Sequence, residues 1–133
     1  MEPVLFPESI ASVRDVLNFY RTEKIKNKQL AERINRIQKS NYNYLDKHIL
    51  CKSLISELQT RENILSPLGN QICRAILQIP DTVDQIAVEL RYLDQLTLSQ
   101  IAKELHCSIS TVSFRLRKGI SQMTLIGYNK YNK

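Results

Sequence analysis

Apolar residues recur at helical spacing along nearly the whole chain. Val13, Val16, Leu17 and Tyr20 open one face, and Leu30, Ala31, Ile34 and Ile37 resume it. Between them lies a polar, basic stretch, RTEKIKNKQ, whose Arg21, Lys24, Lys26 and Lys28 read as a solvated helix face or as DNA contacts. Glu8 or Ser9 is the predicted start of this first helix, and residues 41–43 its end. A second helix is predicted over residues 44–62, with Leu50, Leu54 and Leu58 at four-residue spacing and Ile49, Cys51 and Ile55 beside them. A short polar turn between two amphipathic helices predicts an antiparallel hairpin. Its interior would draw on Val13, Leu17, Leu30, Ile34, Ile37, Leu50, Leu54 and Leu58. Any of that stripe left over would serve a second copy, so a homodimer through residues 1–62 is the expected assembly.

Ser66 and Pro67 read as the N-cap and first residue of a third helix, which buries Ile72 and Ile76 and stops at Pro80. Asp81 or Thr82 then caps a fourth, with Val83, Ile86, Ala87, Leu90 and Leu93 facing inward. Residues 96–123, LTLSQIAKELHCSISTVSFRLRKGISQM, are the most regular part. Thr97 and Gln100 form a capping box, and Leu98, Ile101, Ala102 and Leu105 supply a buried face. His106 and Cys107 make a tight turn, with Cys107 as the small apolar residue filling the angle. Ser108 caps the next helix, whose inward stripe is Val112, Leu116, Ile120 and Met123. Caps, a small Ala at the crossing, the turn and the stripe agree in register, which is helix-turn-helix geometry. The fold class is all-α: an N-terminal helical hairpin (1–62), a helix-turn-helix domain (63–125) and a basic tail (126–133).

Composition narrows the function. Three Gly and four Pro in 133 residues are too few for a loop-rich β fold, and a hydrophobic content of 43% supports one modest core. No apolar run is long enough for a transmembrane span, and MEPVLFPES lacks the pattern of a signal peptide. Three cysteines without a CxxC pair, and two isolated histidines, read as reduced thiols in a cytoplasmic protein without zinc or another cofactor. No nucleotide-binding or catalytic motif is present, so an enzyme is not expected. The net charge is +6, and no acid follows Glu104, whereas Arg115, Arg117, Lys118, Lys130 and Lys133 do. A basic, acid-free C-terminus points to double-stranded DNA.

With the stripe of the last helix inward, a turn of roughly 100° per residue puts Ser110, Thr111 and Phe114 outward at its start, where a helix-turn-helix meets base edges. Phe114 there is open to three readings: thymine methyls, a partner surface, or the edge of the core. Ser108, Ser113, Arg115, Arg117 and Lys118 lie around them as phosphate contacts.

The string AVELRYLDQLTLSQIAKELHCSISTVSFRLRKGISQM resembles region 4 of sigma-70 family factors. Leu90, Arg91, Tyr92, Leu93, Thr97, Ile101, Ala102, Leu105, Ser108, Thr111 and Val112 carry the likeness, over residues 83–124. The resemblance implies DNA binding and contact with RNA polymerase. The layout is similar to small phage and prophage late-gene regulators of the autolysin-regulator and RinA kind. Where those families place glycine, this chain has Gln95 and His106, so His106 must take a left-handed or strained conformation at some cost. The sequence reading is therefore a transcription activator. Its rivals are a polymerase-binding adaptor that reads no DNA and a terminase small-subunit-like packaging protein.

Overall fold

A computed structural model of the chain describes residues 12–125, which form five helices and no strand. Helix α1 runs Val13–Gln38. Ser12 and Asp15 close a capping box at its start, the Ser12 hydroxyl accepting from the Asp15 N–H at 3.1 Å. The starts expected at Glu8 or Ser9 lie outside the described residues, as does the tail 126–133.

Helix α2 runs Tyr44–Ile76, capped by the Asn43 side chain on the Asp46 N–H. Two helices had been predicted here, the second starting at Ser66-Pro67. They are one, with Pro67 inside it. Proline costs a helix about 3 kcal/mol or more. However, Leu65, Leu68, Ile72 and Ile76 form one buried stripe, and each such burial contributes roughly 1.5–3 kcal/mol. A break would swing that stripe off α1, so the continuous helix wins. The expected boundary between residues 62 and 63 falls inside it.

The hairpin forms as predicted, and it uses most of the stripe reserved for a second copy. Leu17 and Ile34 are buried, and Val13, Leu30, Ile37, Leu54 and Leu58 half-buried; only Leu50 remains exposed. Gly69 lets α1 and α2 close up: a Cβ there would stand 2.8 Å from the Tyr20 hydroxyl.

Asp81 caps helix α3, Thr82–Val88, accepting from the Val83 and Asp84 N–H groups. The helix continues into a π-helical turn, Glu89–Leu93. Its inward face is not the predicted one. Val83 and Ile86 are exposed, whereas Asp84, Ala87, Val88 and Tyr92 are buried. These four stand at i, i+3, i+4 and i+8, one helical face begun by an acid, and Leu90 and Leu93 lie at the edge of the core.

Helices α4 (Leu98–Leu105) and α5 (Ile109–Ser121) form the helix-turn-helix. The Thr97–Gln100 capping box is present. His106 is left-handed (φ 54°), and the Cys107 N–H reaches the Ala102 carbonyl at 3.0 Å, closing a Schellman turn without glycine. Gln95 is left-handed too (φ 58°); its side-chain amide donates to the Tyr92 and Leu93 carbonyls. Cys107 is half-buried against the core. A single apolar cluster joins Val16, Leu17 and Tyr20 of α1 to the C-terminal half of α2 and to α3, α4 and α5.

Candidate nucleic-acid interface

Helix α5 is fixed at its start by Ser108, whose hydroxyl accepts the Thr111 N–H at 3.1 Å and pairs with the Thr111 hydroxyl at 2.9 Å. Val112, Leu116 and Ile120 bury its inner face, as the sequence predicts. Gly119 lies against α3, where a Cβ would come within 2.9 Å of the Val88 side chain. The three side chains assigned to bases, Ser110, Thr111 and Phe114, are all exposed on the outer face. Phe114 points directly away from the buried stripe and is 52% exposed, so it is no part of the core. Of the residues assigned to phosphates, Ser108, Arg117 and Lys118 are exposed and Ser113 and Arg115 half-buried.

The electrostatics differ from the sequence picture. The Arg115 guanidinium lies 3.1 Å from Asp84 Oδ1 and 3.6 Å from Asp81 Oδ2, and Lys118 Nζ lies 3.6 Å from Asp84 Oδ2. Asp84 is fully buried, and its Oδ2 has no hydrogen-bond partner within bonding distance. Helix α3 thus supplies the acid that the C-terminal stretch lacks. Arg115 serves as an internal clamp between α3 and α5, and Lys118 is drawn to the same carboxylate. Arg117 is exposed and, of the three cations of α5, is the one with no ion pair among the described residues. The N–H groups of Asp84 and Val83, with the nearby charges of Arg115 and Lys118, hold the Asp81 carboxyl below the usual range.

A second fixture, invisible to pattern reading, ties the hairpin to this unit. Arg21 of α1 donates from Nε to the Arg91 carbonyl at 3.1 Å and from Nη2 to the Gln95 and Leu96 carbonyls at 3.4 Å. Arg91 adds a bond to the Leu96 carbonyl. Burial, and the positive charge of Arg91, lower the basicity of Arg21. Arg21 therefore serves as a latch on the linker into α4. Lys24 and Lys26 are engaged with Glu62 and Glu23.

The sequence could have suggested Asp84, as an acid four residues before the buried Val88 on a capped helix. It held no such signal for Arg21, whose partners are backbone carbonyls some seventy residues away.

Residues 71–123 match the family model for sigma-70, region 4. The match takes in the last turn of α2, α3 with its π turn, α4 and α5. This part of the chain is a sigma-70 region 4-like, DNA-binding helix-turn-helix domain. Helix α1 and residues 44–70 of α2 lie outside it. No curated protein and no solved structure matches the chain.

Proposed function

We propose that this protein is a sequence-specific transcription regulator that docks α5 in the major groove and activates phage-type or other bacterial promoters together with RNA polymerase. The observation that carries this reading is the outer face of α5. It offers two hydroxyls, an aromatic ring and an unpaired Arg117, with no acid among them, on a helix held rigidly from behind. Ser110 and Thr111 suit base edges and Phe114 suits thymine methyls. Arg117, Ser113 and Lys118 suit phosphates. Contact with polymerase follows from the likeness to region 4.

Selection from random duplex DNA should return a motif. Single replacement of Ser110, Thr111 or Phe114 by Ala should relax preference at one or two base pairs, at a cost of about 1–3 kcal/mol against the preferred site. Arg117→Ala should lower the log–log salt slope by about one unit. A motif unchanged in the triple Ala variant rejects base reading by α5.

A second reading, an adaptor that binds polymerase or another protein without reading DNA, is favoured by the internal pairing of Arg115 and Lys118 and by the exposure of Phe114. It predicts protein binding through Phe114 and no salt-dependent DNA affinity.

A further inference from the structure

The far end of the hairpin stands outside the core. Between residues 30 and 59, only Ile34 and Cys51 are buried hydrophobics, whereas Tyr44, Leu45, Ile49 and Ile55 are exposed, Tyr44 to 87%. An open groove of ≈ 730 Å³ runs along this part of α2, beside Gln38 of α1. Tyr44, Cys51 and Ile55 form its apolar floor; Lys47 and Lys52 supply its positive lining. Leu45 and Ile49 continue the apolar band past Lys52.

The charge on this groove is one-sided. Its lining contains no acid. The nearby carboxylates of α2, Asp46 and Glu57, fall on the opposite side of the helix by the roughly 100° step between residues. A second copy seated face to face would bring lysines against lysines with no carboxylate in the groove to separate them, on chains each carrying +6. Juxtaposed like charges are strongly unfavourable at an interface. The complement of an apolar floor with lysines along it is an amphipathic helix that carries leucine-like side chains on one face and carboxylates on its flanks.

We propose that the groove along residues 44–59 is a docking site for an acidic amphipathic helix of another protein. Its apolar side chains cover Tyr44 and Ile55, and its carboxylates pair with Lys47 and Lys52. The site lies far from α5, so the regulator would hold DNA at one end and a protein at the other.

The test uses the full chain and two labelled peptides of about fifteen residues, long enough to form helix on binding. Both carry Leu at helical spacing; one has Glu and the other Lys at the remaining positions. The Glu peptide should bind saturably in fluorescence anisotropy and the Lys peptide should not. Ile55→Asp should weaken the Glu peptide at least roughly tenfold, and Lys47→Glu with Lys52→Glu should reverse the preference between the peptides. Neither change touches α5, so DNA binding should be retained, which separates failure here from failure of the DNA reading. No binding of the Glu peptide overturns the proposal, as does equal binding of the two peptides. A full chain that sediments as a dimer and becomes a monomer on Ile55→Asp overturns it in favour of a second copy.

Discussion

The two ends of α2 belong to one helix but are held by different forces. Toward its C-terminus, Leu65, Leu68, Ile72, Ala75 and Ile76 are buried in the core shared with the helix-turn-helix. Toward its N-terminus, Cys51 is the one buried residue. Between them lies a polar seam. Asn27, 4% exposed, donates to Glu62 and accepts from Arg61 Nε at 2.6 Å; Arg61 also pairs with Glu23 at 2.8 Å, and Lys24 with Glu62 at 3.0 Å. Such a seam fixes how α1 and α2 register, because any slip would strand buried polar groups. It adds little apolar burial. Cooperative stability is therefore concentrated in the DNA-binding unit, and the arm beyond the seam depends on local contacts that open more easily.

The most direct way to break this comparison is to delete the same apolar volume at each end. Ile101, fully buried in α4, and Ile34, 7% exposed in the arm, are both enclosed, but by different surroundings. Ile101→Ala leaves a cavity in a packed core and should cost about 3–5 kcal/mol by urea denaturation. At Ile34 the neighbouring side chains are free to collapse toward the gap, so Ile34→Ala should cost no more than about 1–2 kcal/mol. Equal losses would mean that the arm is part of the same cooperative core.

How legible each part was in the sequence follows the same division. The helix-turn-helix could be read almost residue by residue, because the Thr97–Gln100 box, the Ser108 cap and the stripe from Val112 to Met123 are local signals that agree with the tertiary packing. Even the left-handed His106 follows from where the turn must fall. At Pro67, by contrast, a local signal for a new helix start was outweighed by a stripe buried continuously along α2. In α3 the buried face runs through Asp84, Ala87, Val88 and Tyr92, an ordinary helical spacing whose first member is an acid, so Val83 and Ile86 face solvent and Asp84 does not. A buried acid is not counted when a face is read from its apolar residues. The clamp by Asp84 on Arg115 was missed because acid and base stand 31 residues apart; the acid-free stretch was read along the chain, whereas charge acts through space.

That clamp offers a second, smaller comparison between its two partners. Arg115→Ala leaves the buried Asp84 carboxylate with only Lys118 nearby, at 3.6 Å. Removing one partner of a buried pair is strongly destabilising, and with Lys118 remaining the loss should be about 2–3 kcal/mol. Asp84→Asn removes the buried charge and leaves Arg115, 30% exposed, able to turn toward water. It should cost roughly 1 kcal/mol. It should also strengthen nonspecific DNA binding and raise the salt slope by up to about one unit, since a cation is released toward the phosphates. A purely structural role for Asp84 predicts a loss of affinity instead, so the sign of the change decides.

The smallest expected effect lies in the seam. Burial alone would raise the Glu62 carboxyl, but the hydrogen bonds from Lys24 and Asn27 and the charges of Lys24 and Arg61 outweigh it and hold the carboxyl below its usual range. A carboxylate whose folded-state value is depressed contributes stability that is fully present above the unfolded value, near pH 4.3, and that is lost as pH falls through the folded value. The wild-type chain should therefore lose this contribution below about pH 4. The Glu62 side chain is 42% exposed, so solvent screening limits the contribution to about 0.3–1 kcal/mol. Glu62→Gln should remove that part of the acid limb while leaving the limb due to Asp81, on α3, in place. Urea midpoints followed from pH 6 to pH 3 would show the difference, and hydrogen exchange would place it. If the seam is the border of the arm, protection lost in Glu62→Gln should map to residues 27–59 and spare α4 and α5. Loss spread evenly over the whole chain would show instead that the arm and the DNA-binding unit unfold as one.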